Sequence, residues 1–171
     1  PTVWGLTSAQ LHARYWAAHG VQVVPVGSEA EINPHAELYL LTERSRLVIM
    51  PLRRSLEMLC WLKPDVLIVR LADRAINDYR ELVEARPDGR VLRFRRLYDG
   101  ASSRLARVAL TSDAHLARDW AAMDPEGRPW RALRSIVPPD LRSALRERGR
   151  IYSGDLDRDV ARLTRDRAQT S

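Results

Sequence analysis

Residues 65–71 read Asp-Val-Leu-Ile-Val-Arg-Leu, and this stretch decides the fold class. Val, Ile and Leu fall on both sides of a period-2 alternation, which suits a strand covered on both faces and lying centrally in a sheet. Just before it, Ser55 is placed to cap a helix carrying Leu56, Leu59, Cys60 and Leu62, and Pro64 stops that helix. A doubly covered strand fed by a helix belongs to an α/β protein.

Working toward the N-terminus, Thr7 or Ser8 caps a helix with Leu11, Tyr15 and Ala18 at i, i+4, i+7 and Gly20 at its C′ position. Residues 21–26 (Val-Gln-Val-Val-Pro-Val) then predict a short buried strand closed by Gly27-Ser28. Two apolar runs, 37–42 and 46–51, separated by Glu43-Arg44-Ser45, predict a β-hairpin.

Toward the C-terminus, Asp73 or Arg74 opens an expected helix with Ile76, Tyr79, Leu82 and Val83 on one stripe, broken by Pro87-Asp88-Gly89. Residues 90–98 and 104–111 predict a second hairpin. Its alternation sets Leu92, Phe94 and Tyr98 with Ala106, Val108 and Leu110 on one face, and Arg93, Arg95 and Arg107 on the other. From 113 onward the pattern reads as helices over 113–123, 130–135, 139–148 and 155–167, jointed at prolines and glycines. The expectation is therefore a mixed sheet of about six strands with two β-hairpins, flanking helices and a helical C-terminal segment. Residues 1–123 form the α/β core; residues 124–171 form a helical extension packed on or projecting from it.

The composition fits. A chain of 171 residues that is 45% hydrophobic is globular, which excludes wholesale disorder and collagen-like repeats. No apolar run reaches the roughly 20 residues needed to span a bilayer, so no transmembrane segment is expected. The single cysteine, Cys60, excludes an internal disulfide framework and fits a reducing cytoplasm. Flanked by Leu59, Trp61 and Leu62, it reads as a buried, inert thiol. Five Trp against one Phe is unusual, and Trp4, Trp16, Trp61, Trp120 and Trp130 read mostly as packing residues.

The net charge is +6, and of 28 basic residues only Lys63 is Lys. Near-total Arg usage with abundant Ala points to coding bias in a GC-rich bacterial genome rather than to selection for nucleic acid, which a mixture of Lys and Arg serves as well. Two local excesses are more informative. Residues 90–107 hold six Arg against Asp99, and residues 128–150 hold seven Arg against Asp140 and Glu147. In the first, Arg93, Arg95 and Arg107 share a hairpin face with Arg96 and Arg104 at its margins, a cluster suited to forking onto phosphates or carboxylates. In the second, Arg128, Trp130, Arg131, Arg134, Arg142 and Arg146 form an interaction patch on amphipathic helices.

Other chemistry is poorly supported. Neither GxGxxG nor GxxxxGK[ST] occurs, and there is no GxSxG nucleophile elbow. His12, His19, His35 and His115 never stand three or four apart, so no helix face presents a histidine pair to a metal. Asp155, Asp157, Asp159 and Asp166 mimic EF-hand spacing, but Val160 replaces the required glycine. Asp155 and Asp157 remain the weak metal candidates; their plainer role is to favour the first turn of a helix whose stripe is Leu156, Val160 and Leu163. No cofactor is expected.

With no catalytic constellation, the leading expectation is a non-catalytic bacterial accessory domain acting through protein contacts or self-association, with the C-terminal helices as its interaction element. The alternative is an enzyme or binding protein for an anionic small molecule, a sugar phosphate or nucleotide-sugar, held by the Arg cluster. Nucleic-acid binding through both basic patches is the third reading. The anion reading requires a concave pocket joining the arginines to a carboxylate or histidine.

Overall fold

The computed structural model describes residues 2–3, 5–29, 31–74, 79–85, 91–98 and 103–153, with side chains for 5–29, 31–73 and 104–153. In chain order the strands are β1 (Thr2–Val3), β2 (Leu6–Thr7), β3 (Val21–Pro25), β4 (Leu38–Thr42), β5 (Arg46–Ile49), β6 (Val66–Arg74), β7 (Tyr79–Ala85), β8 (Val91–Tyr98), β9 (Ser103–Thr111), β10 (Arg142–Arg148) and β11 (Arg150–Ser153). The helices are α1 (Ser8–Ala17), α2 (Arg53–Leu62), α3 (Ala114–Ala122) and α4 (Pro129–Ile136), with a 3-10 turn at Pro139–Leu141.

The protein is a mixed α/β structure built on a five-stranded sheet of order β10-β6-β9-β4-β3. β3 and β4 pair in parallel, as do β6 and β10, while β9 runs antiparallel between β4 and β6. Four of the five strands thus point the same way. β6 lies inside the sheet, and Val66, Leu67, Ile68, Val69 and Leu71 are buried on both of its faces, as their composition predicts.

Helices grow where local signals agree with packing. Thr7 caps α1 through a reciprocal capping box with Gln10, and Leu11, His12 and Trp16 form its buried stripe. Asp113 caps α3 by accepting from the His115 N–H at 2.9 Å.

The two sheet faces bury separate clusters. On one, Val24, Tyr39, Leu41, Val66 and Ala109 pack against Leu116, Trp120 and Ala121 of α3 and Leu133 of α4. On the other, Val21, Leu40, Leu67, Val69, Leu71, Val108, Leu110 and Leu145 pack against Trp16 of α1 and Val48 and Ile151 of the β5–β11 pair. Gly149 turns the chain from one layer into the next. A Cβ there would stand 2.8 Å from the Ile49 carbonyl oxygen, closer than real side chains approach backbone.

Several sequence expectations are corrected. Strands β4 and β5 exist, but they do not form a hairpin: β4 pairs with β3 and β9, and β5 pairs with β11. Strands β8 and β9 are not partners either, since β8 pairs with β7 and β9 with β6 and β4. In both cases local alternation identifies the strands but not their neighbours: β5 and β9 pair with strands distant in the chain, whereas β8 pairs with the strand just before it. The helix expected from residue 73 is instead the end of β6 followed by β7. Asp73 does not cap a helix; its Oδ2 accepts from the Ile151 N–H at 2.9 Å and ties β11 to the sheet.

The helix expected over 139–148 is the 3-10 turn and strand β10. Ala144 and Leu145 read equally well at either period, and seven residues of parallel pairing with β6 decide for strand. Helix α2 exists but is not buried: Leu56, Trp61 and Leu62 are exposed, as is Cys60. The expected helix 155–167 lies outside the described residues.

Candidate anion-binding cleft

Along β6 the face shared with α3 and α4 carries Val66, Ile68, Arg70 and Ala72 in turn. Helical cover ends after Ile68 and its neighbour Ala109. Beyond that point the strand register places Arg146 of β10, Arg70 of β6 and Arg107 of β9 directly opposite one another in a single row. Arg148, Ala72 and Leu105 form the next row on the same face. Arg70, Arg146 and Arg148 are exposed and Arg107 is half-buried.

This uncovered end of the sheet floors a cleft of about 1110 Å³. Six arginines line it: Arg46, Arg54, Arg70, Arg107, Arg146 and Arg148, together with Glu43, Glu147, Trp130 and Leu105. Six cationic and two anionic side chains leave a formal excess of +4 (6 − 2). The cleft lies at the carboxyl ends of β4, β6 and β10, where open α/β sheets present their ligand sites.

The walls are held by specific contacts. Trp130, from the start of α4, donates from its indole Nε1–H to Glu43 Oε1 at 2.8 Å and packs on Trp120 with ring centroids 4.7 Å apart. The Arg107 guanidinium sits over the Trp130 ring, 5.6 Å from its centroid. Arg46 Nε stands 4.0 Å from Glu43 Oε2. At the outer edge of β10, Arg54 donates from Nη1 to the Arg146 carbonyl at 3.1 Å, and Glu147 Oε1 accepts from the Arg148 N–H at 3.0 Å. These two side chains occupy edge-strand groups that would otherwise be open to pairing.

Cations directly opposite each other across neighbouring strands destabilise a sheet, by roughly 0.2–1 kcal/mol per pair. Arg70, Arg107 and Arg146 form two such pairs in succession. Their guanidinium groups meet no carboxylate among the described residues. An anion placed over the row would convert that repulsion into charge-assisted hydrogen bonding.

The sequence-predicted residues are distributed unevenly. Arg107, Arg146 and Trp130 converge on the cleft, although the first was assigned to one basic patch and the other two to the second. Arg104 points to the opposite face, where Nη1 donates to the Ile151 carbonyl at 3.1 Å. The side chains of Arg93, Arg95 and Arg96 lie outside the described residues. Their strand, however, sets Arg93 and Arg96 in register with Glu84 and Glu81 of β7. Arg128, Arg131 and Arg134 are exposed on or beside α4, and Arg142 begins β10, none of them lining the cleft. Asp155 and Asp157 lie outside the described residues.

Arg70, outside both basic patches, carries its own signal in the sequence. A lone charge inside an otherwise apolar, doubly covered strand is the signal that one face is open there.

The histidines build no metal site, and no group of three potential metal ligands occurs among the described residues. His12 is structural. Its Nε2 stands 2.9 Å from both the Val48 carbonyl oxygen and the Val48 amide nitrogen, and 3.1 Å from Trp16 Nε1, within a buried polar cluster. Burial pushes its pKa down to about 4, with the backbone contact to Val48 opposing the shift.

No family model and no curated protein matches this chain. Among solved structures it is similar to HddC from Yersinia pseudotuberculosis complexed with GMP-PN, at 10% identity and a TM-score of 0.39, covering 77% of this chain and 56% of that one. A second structure of HddC from the same organism matches at 9% identity and the same TM-score and coverage. The chain spans little more than half the length of these structures. Among the described residues no helix is long and apolar enough to cross a membrane.

Proposed function

We propose that this chain binds an anionic small molecule, a phosphate-bearing one in particular, over the Arg70–Arg107–Arg146 row. The observation that carries the reading is the row itself: three cations in register on adjacent strands, without carboxylate partners among the described residues, on the floor of a concave site. Arg46, Arg54 and Arg148 add charge at the walls, and Trp130 fixes Arg107 in place. Glu43 and Glu147 supply the carboxylates that this reading requires beside the arginines. No reaction is assigned, because no nucleophile–base pair accompanies them among the described residues.

The reading is tested by thermal denaturation with added pyrophosphate. Binding to the native state raises Tm with ligand concentration, and Arg70→Ala combined with Arg107→Ala abolishes the rise. A Tm indifferent to pyrophosphate, inorganic phosphate and sulfate in the wild type contradicts it. Nucleic acid as the anion is distinguished by a steep loss of affinity with salt that scales with the length of the strand.

A second reading, contact with another protein or another copy of the chain, draws on α2 rather than on the C-terminal segment. Trp61 is 85% exposed, beside Leu62 and Leu56. Concentration-dependent sedimentation that disappears in Trp61→Ser supports it; a monomer at all concentrations removes self-association.

A further inference from the structure

Resting on the anion reading, the floor of the same cleft also indicates what the rest of the ligand is made of. Two residues further along the strands, about 6.7 Å from the arginine row, the register aligns Arg148 of β10, Ala72 of β6 and Leu105 of β9 on the same face. All three line the cleft. This second row is not uniformly cationic: its β10 position carries a guanidinium, and its β6 and β9 positions are apolar. Leu105 is 74% exposed. Single exposed leucines on an outer surface are ordinary, but this one borders a cluster of arginines inside a concave site.

Ala72 makes the row a slot. It carries only a methyl group between two long side chains, Leu105 on one side and Arg148 on the other, on strands about 4.8 Å apart. A flat ring over Ala72 covers Leu105 with one part and meets the Arg148 guanidinium, a group that stacks on aromatic faces, with another. A polyhydroxylated group there would set its hydroxyls against Leu105 and Ala72, whose side chains offer no hydrogen-bond partner.

We propose that the ligand is a phosphate monoester of an aromatic alcohol, with the phosphate over the Arg70–Arg107–Arg146 row and the ring over Ala72 against Leu105. One oxygen joins ring to phosphorus, so the two groups fall on successive rows. The arginines supply attraction that any anion feels, and the slot supplies selection by apolar contact. Withdrawing about 60 Å² of apolar surface from water, a fraction of what one aromatic ring carries, corresponds to roughly tenfold in affinity.

The test compares methyl phosphate, phenyl phosphate and glucose 6-phosphate by isothermal titration of the full chain at pH 8. All three are dianions there, since the second pKa of a phosphate ester is about 6. Phenyl phosphate is expected to bind the wild type at least about tenfold more tightly than methyl phosphate, with glucose 6-phosphate within about threefold of methyl phosphate. Leu105→Ser is expected to bring phenyl phosphate within about threefold of methyl phosphate, and Leu105→Met, which keeps the apolar contact, to retain the preference. Arg107→Ala weakens all three in parallel. Leu105 is exposed, so neither replacement of it disturbs the core.

Equal affinities for phenyl and methyl phosphate in the wild type, or tightest binding of glucose 6-phosphate, overturn the aromatic assignment while leaving the anion site intact. A preference that survives Leu105→Ser, or is lost equally in Leu105→Met, overturns the role of Leu105. No binding of any of the three overturns this inference and the anion site together.

Discussion

One face of the central sheet divides into two halves that obey the same alternation and end differently. In the half under α3 and α4, inward positions hold Tyr39, Leu41, Val66 and Ala109, and Trp120 and Leu133 close over them. In the half beyond, the same strands place Arg70, Arg107 and Arg146 at the corresponding positions. The change falls where the helices stop. Charge on a sheet face is therefore a reading of what covers that face. Here it marks a floor left open at the strand ends where ligands of such sheets sit.

The contrast predicts opposite responses to truncation. Trp120→Ala removes a fully buried indole from the covered half and is expected to destabilise by about 3–5 kcal/mol in urea denaturation. Arg70→Ala in the open half should leave stability unchanged or raised. A comparable loss from both variants would erase the distinction.

A related effect is expected from pH. The open half carries charge, whereas His12, buried beneath the other face, is held neutral with its pKa near 4, below its ordinary 6.5. A lowered pKa means the unfolded chain takes up a proton that the native state refuses. His12 therefore contributes stability in full above about pH 6.5 and loses it as pH falls toward 4, by about 3 kcal/mol across the window. The stability difference between wild type and His12→Gln, followed by urea denaturation from pH 7 to 4, should shrink accordingly. A difference independent of pH would place charge inside the covered region.

Smaller effects sharpen the boundary itself. Trp130 spans both halves, packing on Trp120 while donating to Glu43. Trp130→Phe keeps the packing and loses the hydrogen bond, for an expected cost of about 1 kcal/mol. It should also weaken anion binding by freeing Arg107. Unchanged binding would show that the boundary does not hold the floor in place.

The smallest effect has the opposite sign. Arg70→Thr removes both like-charge pairs of the row and should stabilise the free protein by roughly 0.2–1 kcal/mol while anion binding falls. Destabilisation would mean that the row is structural.

Much of this was legible in the sequence, and the limits are physical. The capping residues of α1 and α3, the buried strand β6 and the alternation of β9 are local signals, and they identify their elements. Strand partners are not fixed locally, so neither expected hairpin forms: β4, β5 and β9 pair with strands distant in the chain, and β8 pairs with the preceding β7. The segments 79–85 and 142–148 carry ambiguous periods that tertiary pairing resolves as strands.

The site suffered from the same limit. Arg107, Arg146 and Trp130 were singled out, but they belonged to separate patches until parallel pairing of β6 with β10 brought them together. Arg46, Arg54, Arg148, Glu43 and Glu147 carry no motif. Only folding assembles them around Arg70.

The central claim is that an anion sits on the Arg70–Arg107–Arg146 row, and a residue-resolved NMR titration with pyrophosphate tests it most directly. The guanidinium Nε–H signals of Arg70, Arg107 and Arg146 and the indole N–H of Trp130 should shift together and saturate at one affinity. Those of Arg128, Arg131 and Arg134 should remain still. Saturable shifts confined to the α4 arginines, or no saturable shift on the row, would contradict the account.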